Sequence, residues 1–309
     1  MSLSPPRDLR RPGRMAAARG LGANPGLGIV CAVGSGFFIV CNDIFAKLAT
    51  EAMPVGEFIL LRGSIASLLI SGWLAATRQI GLLRTRNAGA MLLYALMMVG
   101  STHCFLNALT VMPLGDATAI TFAAPIFTTA LAAMLLRETV GWRRWSAVGV
   151  GFVGVLVLLA PTGQGYPLLV ALLPLTVALF VSVRDIVSRR LSVTDATVAI
   201  LFYNTFAVTL SSFGAMPFEA AWYWPDGREI LYAAASAVLL AASQYLIVEA
   251  YRLAELSLIM PFRYSSLVFA AAAGFLVWSD VPQWNVALGA AIICLSGLFI
   301  LHREKVKRA

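Results

Sequence analysis

The sequence predicts an all-α polytopic membrane protein, with ten transmembrane helices arranged as two inverted five-helix repeats. Three observations predict it. Of 309 residues, 60% are hydrophobic and 12% charged, whereas soluble domains carry roughly 25% charged residues. A chain this apolar cannot cover a water-facing surface and needs a bilayer as solvent. Ten segments approach the roughly 20 apolar residues that a helix needs to cross a hydrocarbon core of ~30 Å. Finally, sparse polar positions recur at one offset of 142 residues.

The ten spans fall at about 27–47, 55–76, 88–111, 114–136, 143–160, 167–190, 195–217, 229–251, 255–278 and 284–302. Links such as Met112-Pro113-Leu114-Gly115-Asp116 and Pro161-Thr162-Gly163-Gln164-Gly165 are rich in turn residues. They are too short to hold a soluble domain, so neighbouring spans run antiparallel. The expected organisation is a basic cytoplasmic tail at 1–24, one ten-helix domain at 25–302, and a second basic tail at 303–309. Repeat one covers about 27–160 and repeat two about 167–302. Residues 1–24 lack the apolar run and small-residue cleavage site of a signal peptide.

Charge placement sets the expected orientation. The N-terminal tail holds Arg7, Arg10, Arg11, Arg14 and Arg19, and the C-terminal tail holds Arg303, Lys305, Lys307 and Arg308. On the same side fall Arg78, Arg84, Arg86, Arg137, Arg143, Arg144, Arg189, Arg190 and Arg252. The opposite side keeps only Lys47 and Arg228. By the positive-inside rule both termini are cytoplasmic, in the inner membrane of a bacterial cell. The +8 net charge therefore reports topology, and no nucleic-acid partner is expected. Single cysteines in the links at Gly163 and Ala221 are expected to react with a membrane-impermeant maleimide from outside, and one at Thr85 is not. Protection at Ala221 would overturn the orientation.

The repeat rests on positions that are rare in so apolar a chain. Asp43-Ile44 with Lys47 returns as Asp185-Ile186 with Arg189. The same offset pairs Ser101 with Ser243, Ala108 with Ala250, Glu138 with Asp280, and Trp142 with Trp284. Each unit has an odd number of spans, so the second must be inverted relative to the first. Inverted repeats are typical of secondary transporters, whose substrate site lies near the midplane between the halves. Alternating access follows, because exchanging the two halves' conformations turns outward-facing into inward-facing.

Polar groups inside a membrane need a partner or a wet cavity. Arg263 lies ~12 Å along span 9 at ~1.5 Å per residue, two residues after Pro261, with Tyr264 beside it. The proline frees a carbonyl there, and Pro125 occupies a similar depth in span 4. Spans 4 and 9 therefore read as broken elements lining a cavity, with Arg263 placed to bind a carboxylate or to pair with Glu249. Span 3 offers Tyr94, Ser101, His103 and Asn107, the last two on one helix face. Span 8 offers Ser243, Gln244, Tyr245 and Glu249. Arg62 and Asn204, again related by 142 residues, read as a bridge between helices. The i, i+4 pairs Asp43/Lys47 and Asp185/Arg189 stand near opposite ends of the membrane. They read either as gate latches that break alternately or as solvated helix-end pairs worth a few tenths of a kcal/mol.

Cys31, Cys41, Cys104 and Cys294 fall inside spans without ligand spacing and read as packing residues. HExxH, GxSxG, P-loop and GxGxxG signatures are missing, so no enzyme, metal or cofactor is expected. Small residues in span 5 (Gly149, Gly151, Gly154) and span 10 (Gly289, Ala290, Ser296, Gly297) allow close packing.

Ala108-Leu109 through Pro125 to Leu136-Arg137-Glu138, then Trp145 and the Gly-rich span 5, resembles the repeat motif of the EamA type of the drug/metabolite transporter (DMT) superfamily. The second copy runs from Ala250 through Ser257 to Asp280 and Gly297, and departs at Asp280 and at Leu267, opposite Pro125. Within that superfamily the chain is most similar in general character to bacterial aromatic amino acid exporters. The resemblance implies a central cavity lined by spans 1, 3, 4, 6, 8 and 9. It also implies export of amino acids or related small metabolites by a monomer embedded in membrane lipid. Phe38, Tyr94, Phe122 and Tyr264 would pack an aromatic side chain there. A multidrug or cationic-compound exporter is the alternative, and it would place a desolvated carboxylate at mid-depth, for which Glu249 is the nearest candidate.

Overall fold

A computed structural model describes residues 24–124, 142–158, 168–219, 222–253, 265–281 and 287–296, with positions 127, 131, 259, 262, 263, 284 and 285. The two tails and parts of spans 4, 5, 9 and 10 lie outside the described residues. Ten α-helices follow in order: α1 Pro25–Thr50, α2 Val55–Ala76, α3 Ala88–Leu109, α4 Leu114–Thr121, α5 Trp142–Leu158, α6 Leu168–Thr194, α7 Thr197–Ala215, α8 Gly227–Leu253, α9 Ser265–Trp278 and α10 Ala287–Ser296. Among the described residues six helices, α1, α2, α3, α6, α7 and α8, are long and apolar enough to cross a membrane. The chain is an all-helical polytopic membrane protein.

Local chemistry sets the ends. The Asn24 and Asn87 side chains cap α1 and α3 by accepting from Leu27 N and Ala90 N. Arg78 and Ser279 adopt left-handed backbone just past α2 and α9, and Asp280 N closes back on Gly274 O, the usual way of satisfying last-turn carbonyls. Helix α4 stops at Thr121, the residue whose carbonyl Pro125 cannot satisfy. Beyond the stop, the Ser182 hydroxyl of α6 lies 2.7 Å from Ala124 O. A side chain from the other repeat thus supports the backbone where the helix breaks.

Packing repeats under the exchange of the two units. Helix α1 packs on α8 as α3 packs on α6; α1 meets α9 as α6 meets α4. Helices α2 and α7 pack on each other, and so do α4 and α9. The closest contacts use missing side chains. A Cβ at Gly63 would stand 2.9 Å from Thr209 Cβ, and one at Gly100 would meet the Phe180 ring. One at Gly154 would stand 2.8 Å from Ile292 Cγ2, so the small residues of α5 meet α10.

Two straps join the repeats at opposite ends. At one, Glu219 accepts from Gly56 N at 2.8 and 2.9 Å, and Tyr223 donates to Ala52 O at 3.0 Å and to Glu229. The Glu229 hydrogen bond pushes the Tyr223 hydroxyl up to about 12. At the other end, Arg86 N donates to Asp195 Oδ1 at 2.9 Å, Tyr203 to Leu83 O at 3.0 Å, and Arg252 to Asp195 O at 2.9 Å. Burial alone would raise the Asp195 carboxyl. Hydrogen bonds from Thr194, Thr85 and the Arg86 amide, with the Arg86 charge, hold it below the usual range.

Candidate functional site

The charged side chains of the spans pair between helices. Asp185 on α6 is buried. Its Oδ2 accepts from Arg263 Nη1 at 2.6 Å, and its Oδ1 from Arg184 Nη2 at 3.0 Å. Arg263 Nη1 also lies 3.3 Å from the Tyr251 hydroxyl of α8. Arg184 Nη1 is directed at Met98 Sδ of α3, 3.3 Å away. Tyr94, one turn earlier on α3 and buried, lies in the field of Arg184, Asp185 and Arg263. The cluster therefore draws on α3 of the first repeat, on α6 and α8 of the second, and on the helical turn just ahead of α9. Charge-assisted pairs of this kind are the strong hydrogen bonds, and one carboxylate shared by two guanidiniums fixes the geometry of both. Arg263 is the open member, its side chain 26% exposed against 6% for Asp185.

The equivalent place in repeat one is built without the arginines. Asn42 Nδ2 donates to Asp43 Oδ1 at 2.9 Å, and Asn42 Oδ1 accepts from Ser236 of α8 at 2.7 Å. At the 142-residue offset Asn42 matches Arg184, Ser236 matches Tyr94, and Thr121 matches Arg263. Arg62 of α2 acts on Asp43 through space.

The two i, i+4 pairs expected from the sequence do not both form. Lys47 does not bond Asp43. Its Nζ lies 3.3 Å from Met112 O and 4.7 Å from the centre of the Trp278 ring. Trp278 Nε1 in turn donates to Glu51 Oε1 at 3.0 Å. The physical reason is position: Lys47 stands in the last turn of α1, within reach of the open carbonyls that follow α3. Asp43 is turned toward Asn42 and α2. This end is thus closed over α1, the link after α3, and α9. Asp185 takes Arg184 and Arg263 as partners, and the Arg189 side chain lies outside the described residues, as does Tyr264.

Glu249 does not meet Arg263. It takes Thr197 at 2.8 Å and Arg252 at 3.4 Å, near the end of α8, and so is no desolvated mid-depth carboxylate. His103 Nε2 lies 2.9 Å from Ser211 Oγ on α7, while Asn107, exposed, donates to its own helix at His103 O. Ser101 is buried and bonds Met98 O. Ser243 joins α8 to α1 through Ser35 Oγ at 3.1 Å and Ser35 O at 2.9 Å. Phe38 stands edge-on to Phe37, which meets Phe269 of α9 in the same way. Gln244 lines a separate cleft between α2, α3, α7 and α8. Arg263 and Tyr94 are therefore the expected site residues that the structure gathers around Asp185. Arg184 and Tyr251 join them unforeseen. For Arg184 a signal existed, since the offset sets it beside Asp185 as it sets Asn42 beside Asp43. Tyr251 aligns with Leu109 and carries none.

Residues 26–160 match the pattern of the EamA-like transporter family. The riboflavin transporter of Vibrio cholerae is 31% identical over 273 residues, 87% of this chain and 91% of that protein. An S-adenosylmethionine uptake transporter of Rickettsia prowazekii is 27% identical, over 85% of this chain and 88% of its own length. A pseudopaline exporter of Pseudomonas aeruginosa is 26% identical over 90% and 97%. One crystal structure superposes with a TM-score of 0.62 over 90% of this chain and 99% of that one, at 19% identity, which speaks for the fold alone.

Proposed function

Because the chain belongs to the EamA-like transporter family, a branch of the DMT superfamily, we propose that it is a secondary transporter for small carboxylate-bearing metabolites of the amino acid type. It works by alternating access across the bacterial inner membrane, with both termini in the cytoplasm. The observation that carries this reading is the Arg184–Asp185–Arg263 cluster between the halves. Its most open member is a guanidinium, whose planar fork suits a carboxylate, and two phenols stand beside it. Phe37, Phe38 and Phe269 supply an aromatic wall on which an apolar side chain can rest. The relatives are named for both uptake and export, so substrate class is the substance of the proposal. Net direction follows the gradient. Domain limits of about 27–160 and 167–302 for the two repeats complete it.

Counterflow of L-tryptophan and L-tryptophanamide into proteoliposomes, with equal folded amounts of wild type and Arg263→Gln, tests it. Loss of a charge-assisted pair of about 1.5–3 kcal/mol should cut tryptophan counterflow by about tenfold or more. The amide, lacking the carboxylate, should change far less. Arg263→Lys should fall between, keeping the charge but losing the fork. Equal losses for both compounds would leave Arg263 a scaffold residue and remove the substrate assignment.

A further inference from the structure

The cleft between α2, α3, α7 and α8 has a volume of about 30 Å³ and is separate from the Asp185 cluster. Its walls come in matched pairs: Arg62 with Asn204, Gly63 with Thr205, Met98 with Leu240, and Thr102 with Gln244, each 142 residues apart. A cleft lined by both members of every pair straddles the axis that relates the repeats. Arg62 is 5% exposed, and its guanidinium lies 5.0 Å from the centre of the Phe58 ring. Among the described residues it has no hydrogen-bonding partner in the protein. Asn204 is 6% exposed, and its Oδ1 is buried without a partner.

A buried guanidinium without acceptors and a buried carbonyl without a donor are both costly, and they share one small space. A polar cavity of this volume has room for one or two waters. A water accepts from Arg62 and donates to Asn204 Oδ1, satisfying both. An anion suits the cleft less, because the Asn204 oxygen faces it and Asp43 already acts on the Arg62 charge. We propose that one or two bound waters bridge Arg62 to Asn204 and Gln244, and that this wet contact is the pivot about which the two halves exchange conformations. The pivot role rests on the alternating-access reading above; the bound water does not. Exchange carries each lining residue toward the setting of its repeat partner, and the partners of residue 62 are unequal, an arginine against an asparagine. Direct bonds in fixed geometry would strand the charge during the change. Bonds through water can be remade. Met98 links the pivot to the charge cluster, since it lines the cleft and also accepts from Arg184.

The test uses the full chain in lipid nanodiscs. Hydroxyl radicals made by X-ray radiolysis in ¹⁸O water label side chains next to bound water. Met98 should oxidise several-fold faster than Met91 and Met112, which are equally buried at 5% and 3% against 6%. Asn204→Leu, which fills the cleft, should bring Met98 down to the Met91 rate. It should also slow, several-fold, the two-sided accessibility exchange of a single cysteine at Thr121. Arg62→Met with Asn204→Leu removes the stranded charge, so it should recover thermal stability lost by Asn204→Leu while exchange stays slow. Met98 labelling no faster than Met91 overturns the bound water. Unslowed exchange in a folded, filled variant overturns the pivot. Neither readout needs a substrate, so the tryptophan result and this one fail independently.

Discussion

Asp185→Leu is expected to destabilise the protein by about 3–5 kcal/mol, because it leaves buried guanidinium charge uncompensated. Arg263 and Arg184 both take their anchor from this one carboxylate, at 2.6 and 3.0 Å. Thermal unfolding of the detergent-solubilised protein, followed by tryptophan fluorescence, reads the loss. Replacing the whole cluster by apolar residues of similar size should behave oppositely. Asp185→Leu combined with Arg184→Met and Arg263→Met removes the desolvation cost along with the attraction, so stability should return to near wild type. Transport should not return. A single Asp185→Leu variant as stable as wild type would show that the cluster is not held by this carboxylate.

Gly63→Ala is the second large effect. A Cβ at that position would stand 2.9 Å from Thr209 Cβ and 3.3 Å from its Cα, closer than packed atoms tolerate. The backbones of α2 and α7 must separate to admit it, and overpacking of this kind costs about 1–3 kcal/mol. Thr209→Gly removes the opposing side chain, so the double variant should recover most of the loss. If Gly63→Ala unfolds at the wild-type temperature, α2 and α7 do not cross where the structure sets them.

The architecture was legible because each helix had to be apolar for ~20 residues and the chain had to turn between helices. Val55–Ala76 and Ala88–Leu109 fall within two residues of their expected limits. Pro125 also announced the stop at Thr121. The site was less legible, for a physical reason. Spacing along one helix reveals only neighbours on that helix, and here the charges look sideways. Lys47 follows Asp43 by one turn yet reaches Met112 O on another segment. Glu249 shares a helix with Tyr251, but it bonds α7 at Thr197 while Tyr251 meets Arg263. Arg263 stood out because any charge at mid-depth does. Arg184 was passed over because it was weighed alone and not against Asn42, its repeat partner. The Arg62–Asn204 match was legible as a bridge across helices, but nothing in one dimension tells that the bridge encloses a cleft.

The pairing of α1 with α8 and of α3 with α6 bears on how the chain is made. A ribosome delivers helices in order, and α1 enters the bilayer with its principal neighbour seven helices away. When α5 has been inserted, neither strap exists, because Gly56 still awaits Glu219 and the Arg86 amide still awaits Asp195. The first half therefore has few of its final contacts until α6 to α8 arrive. During that interval Asp43 and Arg62 stand in or beside lipid without the α8 serine or the α7 amide that later attend them. Biosynthesis must hold early helices apart from wrong neighbours until late ones thread between them. A chain truncated after α5 should be cleared by membrane proteases instead of accumulating as half a transporter. Co-expressing the two halves as separate polypeptides should rescue both, since the contacts that complete each are supplied by the other.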